Sequence, residues 1–390
     1  MISIDSLHIG NRTLLLSIGL WPYQQSKLVQ FQIVLLFVIL TTCIIFQFTI
    51  FLTSKCTLDL FINVFSSAFF FLFLVIQYTS FCVNIKVRLL NIYNDLTDMN
   101  EINIMKKYGS YAKRYTIGLM LIFTIFAPVI ILYPFWPHIP DILLSTNKSL
   151  SRPPLSGMFA TEYFIDQKKY FYWILLHGYA ALFLGIIALL AAGTLLIAYL
   201  QHACGLFRIA SYRLEQALVV DTLRKGGPRN KNLIYMKLIR AVDMHREAMK
   251  FSDTSVSKFK VMFFFMIVVG VISASLNFFR LFQALLFRYD AEELLLPLVS
   301  VITYISYIFI GDYVGQEIID HNNDVFATAY NIQWYAASLN IQKMVLFLLQ
   351  RSTKVFSLNI AGLIVGSLEG AVSLLSTILS YFTVLYSTRT

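Results

Sequence analysis

Polar residues near the C-terminus repeat at helical spacing inside an apolar run. Gly366, Glu369, Ser373, Ser376, Ser380, Thr383 and Ser387 step by three or four residues. On a helix they form one stripe, with Leu374, Ile378, Leu379 and Leu385 on the remaining surface. Such a stripe can solvate a cation, since hydroxyls supply oxygen ligands and a carboxylate supplies charge. An ionisable group inside a membrane span is costly unless wet or paired, which marks out Glu369. Spacing alone leaves two uses open. Either the hydroxyls bond neighbouring helices, the usual fate of Ser and Thr in a membrane, or they line water as one stave of a pore shared by several subunits. Gly362, Gly366 and Gly370 add a small-residue face that permits close backbone approach.

Catalytic patterns are missing from the sequence. There is no H-E-x-x-H, G-x-S-x-G, phosphate-binding glycine loop or carboxylate pair on an apolar run. Cys43, Cys56, Cys82 and Cys204 form no C-x-x-C or Cys/His cluster, so no metal, cofactor or enzymatic role is expected. Aromatic surface is plentiful instead. Phe65, Phe69, Tyr133, Tyr172, Trp173, His177, Phe278, Phe282, Tyr304 and Tyr307 fall in one half of the apolar runs. A cavity with these walls, a few hydroxyls and one imidazole suits a small hydrophobic ligand held by desolvation. The commoner use of any single aromatic here is lipid contact, interface belt or core. His177 is the most informative, because a polar ring that deep lines a cavity or pairs. Tyr304 and Tyr307 share a helical face and come next.

The elements that position these residues are membrane spans. Of 390 residues, 58% are hydrophobic and 13% charged, with a mean hydropathy of +0.69. A soluble domain carries about twice that charge. Seven runs are each long enough to cross a hydrocarbon core of about 30 Å as a helix. They are 31–53, 58–82, 117–135, 171–199, 261–286, 294–314, which is short and interrupted at Pro297, and 357–386. Residues 1–30 are mixed and amphipathic, without a small-residue cleavage site after an apolar stretch, so the first span is expected to double as a signal anchor. The net charge of +10 fits basic cytoplasmic loops better than nucleic acid.

Orientation follows from Lys and Arg. The connections 1–30, 84–116, 201–260 and 315–356 hold 23 of them and the opposite side 8. The richer side is expected to be cytoplasmic, which puts the N-terminus inside and, after an odd number of spans, the C-terminus outside. Asn147-Lys148-Ser149 then falls in an outer loop and is the expected glycosylation site, while Asn11-Arg12-Thr13 lies inside. Only Cys56 faces outside, so no outer disulfide within the chain is expected.

Two cytoplasmic stretches carry helical patterns. In 201–260, Leu206, Ile209 and Leu214 precede a break at Gly226-Gly227-Pro228, and Ile234, Leu238, Val242 and Met249 follow it. This reads as a helical hairpin extending the fourth and fifth spans, with His245 as an ordinary interface or solvated histidine. A helix is expected over 331–352, with Trp334, Ile341, Met344 and Leu348 as apolar anchors. It serves either subunit contact or packing on its own inner region. The resulting organisation is an amphipathic segment at 1–30, six spans with a ligand pocket in their outer half at 31–314, the extension at 201–260, anchor helices at 315–356 and a seventh, pore-lining helix with a short tail at 357–390.

Several stretches resemble the insect odorant receptor family. They are "SIGLWP" at 17–22, "LIRAVDMHREAMKFSD" with its central His245, "QRSTKVFSLNIAG" and "SYFTVL" at 380–385. The likeness runs in order over nearly the whole chain. Leu363 departs from it, standing where a Lys often follows "AG", and the ending of the related gustatory receptors is missing after Tyr381. The long cytoplasmic insertion of the shared co-receptor is also missing, so the chain resembles a ligand-tuned subunit. The resemblance implies an odorant-gated, non-selective cation channel in the plasma membrane of a sensory dendrite or cilium. It implies a tetramer of tuned subunits and co-receptor around one pore, anchored by the cytoplasmic helices. Val384 matches the family's apolar constriction, and Ser373, Ser380 and Ser387 match pore-facing positions. A metabotropic receptor would need the N-terminus outside, and a transporter would usually show internal repeats with matching broken helices.

Overall fold

The computed structural model describes residues 9–21, 26–84, 96, 98–132, 160–167, 169–218, 228–287, 291–352, 357–360 and 362–388. The helices are α1 (Ile9–Ser17), α2 (Lys27–Phe48, continued by one turn at Ile50–Thr53), α3 (Leu58–Asn84), α4 (Met99–Leu132) and α5 (Phe171–Ala217). They continue as α6 (Pro228–Ser257), α7 (Lys260–Phe287), α8 (Ala291–Asn331), α9 (Leu339–Ser352) and α10 (Leu368–Ser387). A small antiparallel hairpin, β1 (Asn359–Ile360) and β2 (Ile364–Val365), precedes α10. Six helices are long and apolar enough to cross a membrane: α2 with its added turn, α3, α5, α7, α8 and α10. The remaining expected span, 117–135, falls on α4 as far as Leu132.

The seven helices α2, α3, α4, α5, α7, α8 and α10 alternate in direction. Thr42 and Thr49, late in α2, meet His177 and Glu162 beside the start of α5. Tyr78, late in α3, reaches back to Ile18. We call the end carrying residues 54–57 and 160–170 the upper end and the opposite one the lower end. The start of α2 and the finish of α10 therefore lie at opposite ends.

Helix α5 is the post on which the bundle is built. Its 47 residues span about 70 Å, more than twice a hydrocarbon core of about 30 Å. It packs against α1, α2, α3, α4, α6 and α8. Its alanines and glycines allow this, because small side chains let neighbours approach closely. A Cβ at Gly185 would stand 2.6 Å from Leu74 Cδ1, and one at Gly205 2.7 Å from Met105 Sδ.

Beyond membrane depth the lower part of α5 forms a polar-rimmed bundle with α6, the start of α4, the end of α8 and α9. Arg213 on α5 grips Glu101 on α4 through two hydrogen bonds, 2.6 and 2.8 Å. His245 on α6 is buried and pairs through Nε2 with Asn322 Oδ1 at 2.9 Å. Tyr108 on α4 meets His321 Nε2 on α8 at 2.7 Å, while His321 Nδ1 faces its own helix at the Glu317 carbonyl. Burial pushes the Tyr108 hydroxyl up to about 12, so it stays protonated. Nδ1–H donates to that carbonyl, which leaves Nε2 to accept from Tyr108.

The structure departs from three sequence expectations. The sixth span does not break at Pro297: α8 runs 41 residues, and the proline lies near its start, where little helix precedes it to be kinked. The helix expected over 331–352 begins only at Leu339, because a 3-10 turn at Trp334–Ala336 intervenes. The seventh span begins at Leu368, not at 357. Gly362 has φ +78°, Asn359 Oδ1 accepts from its N–H, and the chain doubles back as the β-hairpin.

Candidate functional site

Ser367 starts α10: its hydroxyl accepts from the Gly370 N–H at 3.2 Å, an N-cap that ends the hairpin and opens the helix. From there α10 has two faces. Gly370, Ala371, Leu374 and Ile378 are buried against α7 and α8. Glu369, Ser373, Ser376, Ser380, Thr383, Val384 and Ser387 are all exposed. The hydroxyls of Ser380, Thr383 and Ser387 donate to carbonyls of their own helix. The polar stripe thus lies on the exposed side of α10 and points out of the subunit. Gly366, expected in the stripe, and Gly362, expected with it in the small-residue face, both precede α10: Gly362 is in the turn of the hairpin and Gly366 directly follows β2.

The base of α10 is locked to α8 by glycine. A Cβ on Gly315 would fall on the Gly366 carbonyl, and one on Gly370 would fall on the Val365 carbonyl oxygen. Between them sits Asp312, 4% exposed, which accepts from the Ser367 backbone N–H. Its Oδ1 is sealed against Gly370 without a hydrogen-bond partner. Neither Asp312 nor Gly315 stands out from the sequence pattern of its span. The signals were present: an ionisable residue inside a span, and the small pair Gly311 and Gly315 one helical turn apart.

Beside this junction lies a cavity of about 320 Å³. It is walled by α4, α5, α7 and α8, with Phe73 of α3 at one side and the β-hairpin and Leu374 of α10 at the bottom. Helices α4 and α8 are tied low down, by Tyr108 with His321 and Tyr115 with Glu317. Above these ties the cavity lies between them.

The expected ligand residues divide. Tyr307 lines the cavity, its hydroxyl 3.8 Å from Met266 Sδ. Tyr304 is buried behind the wall. Its hydroxyl donates to Ser273 Oγ at 2.8 Å, and its ring meets Phe70 and Phe73 edge-on. Ser273 and Asn277 donate in turn to the Ser66 carbonyl, and Arg280 donates to Ser66 Oγ. Tyr304→Phe is therefore expected to lower the stability of the solubilised protein by about 1 kcal/mol in thermal melting, while keeping ligand ranking. Tyr307→Ala should change the ranking.

His177 lies higher and pairs twice, with Thr42 Oγ1 at 3.0 Å and Tyr163 at 2.7 Å. It fastens residues 160–167 to the upper end, where Tyr163 stacks on Phe46 at 4.1 Å. Tyr172 and Trp173 are 58% and 71% exposed, on the outer surface of α5 and away from the cavity. Phe65 and Phe69 join Phe279, Phe382 and Leu385 in a separate apolar cluster at the upper end. Phe282 packs edge-on to Phe382 and Tyr386 of α10. Phe278 is half-buried against the main core. Tyr133 and Asn147 lie outside the described residues. The cavity thus sits lower than the aromatic pattern had placed it.

The anchor residues pack on their own chain. Ile341 and Leu348 are buried, Met344 and Trp334 half-buried, all against the main core. Phe347 and Leu346 on the opposite face of α9 are 70% and 49% exposed.

The family model described as 7tm Odorant receptor matches residues 47–379. A comparison with curated proteins finds no match. Among solved structures the chain is similar to the insect olfactory receptor OR5 from Machilis hrabei in complex with eugenol. That likeness has TM-score 0.74 and 16% identity and covers 98% of each chain. It is also similar to the same receptor without eugenol in its description, with TM-score 0.70, 14% identity and coverage of 98% and 99%. The fold is shared, and the family match extends over most of the sequence: this chain belongs to the odorant receptor family of multi-span membrane receptors.

Proposed function

We propose that the chain is the ligand-tuned subunit of an odorant-gated, non-selective cation channel, assembled with a shared co-receptor around one pore in the plasma membrane. In this reading its N-terminus is cytoplasmic, its C-terminus extracellular, and Asn147 carries a glycan. The observation that carries it is the two-faced α10. A stripe of Glu369 and hydroxyls faces away from the subunit, while the buried face of the same helix touches a ligand-sized cavity through Leu374. The related receptor is described with eugenol, a small phenol, which supports a small hydrophobic ligand. A ligand fitting the open state better shifts the equilibrium only by that difference in affinity. Contact at Tyr307 moves α8, Asp312 and Gly315 carry the shift to the base of α10, and the helix splays at Val384. The exposed faces of α9 serve subunit contact.

Single cysteines at Ser376, Ser380 and Val384 in a Cys56→Ser background test this. Charged thiol reagents applied during ligand exposure are expected to block current at Ser376 and Ser380, faster when ligand is present. An epitope after Thr390 should be stained on intact cells. Sites that never react, or current that vanishes under G-protein blockade, would sink the channel reading in favour of a metabotropic one.

A further inference from the structure

The cavity is long. On α5 its lining runs from Ile186 to Leu200, about 20 Å along the helix. On α8 it runs from Val299 to Gly315, again more than about 20 Å. A volume of about 320 Å³ distributed over that length makes an elongated space that suits an extended chain. Its side opening is rimmed by Ile122, Phe126 and Ile302, which are 54%, 50% and 44% exposed. All three lie within spans, so an occupant arrives from the lipid rather than from water.

Hydroxyl side chains in the lining are confined to one band. Thr303, Ser306 and Tyr307 bring three hydroxyls within about one turn of α8. Thr303 donates to its own helix at the Val299 carbonyl, which leaves its oxygen free to accept. Tyr307 points at a thioether, a weak acceptor. Below this band the walls are Leu196, Leu200, Leu358, Ile360, Ile364 and Leu374. Asp312 borders the same stretch, but its carboxylate is turned to the first turn of α10 and sealed there. The lower arm therefore presents hydrocarbon.

We infer that the cavity takes an elongated aliphatic molecule with a single oxygen function. The oxygen sits at the Thr303–Ser306–Tyr307 band and the chain extends down to the β-hairpin, so that the base of α10 reads chain length. This deepens the ligand-gated reading and rests on it for the link from occupancy to current. A chain that stops short leaves the space beside Ile364 and Leu374 empty. One that reaches it packs directly on the pore helix, and one that is longer has nowhere to go.

The probes are straight-chain primary alcohols from hexanol to hexadecanol, applied to cells expressing the full chain with the co-receptor. Potency referred to aqueous concentration is expected to rise about fourfold per methylene, reach an optimum and then fall. Ile364→Trp fills the lower end, so the optimum moves to a shorter alcohol. The former best ligand weakens roughly fifteenfold for every two methylenes displaced. An optimum that stays put in a variant with normal surface expression overturns the inference, and so does stronger activation by compact branched alcohols of equal carbon number.

A second measurement does not need the pore. Purified receptor in lipid nanodiscs is photolabelled with dodecanol carrying a diazirine at its terminal carbon, and the labelled peptides are mapped. Label on Leu358, Ile360, Ile364 or Leu374 is the expected result. Label confined to the upper cluster around Phe65 and Phe69 overturns it, as does preferential capture of a lipid bearing the diazirine on its acyl chain. Labelling at the lower arm with no alcohol-evoked current would leave the site standing and remove the channel reading instead.

Discussion

Gly315→Ala is expected to abolish ligand-evoked current, and Gly370→Ala to do the same, while Gly311→Ala leaves the receptor folded and at the surface. The new methyl at Gly315 falls on the Gly366 carbonyl, and at Gly370 it falls on the Val365 carbonyl oxygen. Both obstacles are backbone, so no rotamer change relieves them. Overpacking of this kind costs about 1–3 kcal/mol when neighbours can shift. Here the shift must be taken by the β-hairpin or by the whole of α10. Gly311 lines the cavity one turn away, and a Cβ there meets nothing within 4 Å. Surface biotinylation together with whole-cell current separates the possible failures. Normal expression of Gly315→Ala with unchanged current would mean that α8 and α10 are not coupled where they touch.

That junction is also where the sequence was least legible. Hydropathy located the starts of the first, second, fourth, fifth and sixth spans within a few residues, because a bilayer imposes length and apolarity directly, but it began the seventh at 357, ahead of Leu368. The long extension of the fourth span was equally plain, since Leu206, Ile209 and Leu214 continue the helical period without a breaker until residues past Ala217. The hairpin at 359–365 was hidden by the same logic. Its residues are as apolar as a helix, and hydropathy does not distinguish the two. The turn signals were Asn359 three residues before Gly362, and Ser367 three before Gly370. Which aromatics line the cavity was legible only in part. Tyr304 and Tyr307 are one turn apart, yet one is locked into the Ser273 network and the other faces the cavity. Helix rotation decides this, and rotation is set by packing partners distant in sequence. Trp173 shows the limit clearly: by composition it suits a pocket or a membrane interface equally, and the structure turns it outward. The residues from Glu369 onward share an exposed side of α10, a placement that their period alone makes legible.

Removing one partner of the Arg213–Glu101 pair is expected to be the most damaging single change in the lower bundle. Glu101 retains only 7% of its side-chain exposure and Arg213 22%. The guanidinium meets the carboxylate through Nε and Nη2, and Nη1 donates to the Arg240 carbonyl at 3.3 Å. One side chain of α5 thus holds α4 and α6 together. Arg213→Met leaves a buried carboxylate without its cation, a loss of about 3–5 kcal/mol when one member of a buried pair goes. Glu101→Gln is milder, since the amide oxygen still accepts from Arg213. The double variant Arg213→Met/Glu101→Leu should recover much of the lost stability, because two apolar groups of similar volume replace the pair without stranding a charge. Fluorescence-detected size-exclusion melting of the three variants reads the order directly. If Arg213→Met alone melted with the wild type, the pair would be a solvated surface contact. The lower bundle would then be held by its apolar core, Leu206, Leu214, Ile234 and Leu238, without help from charge.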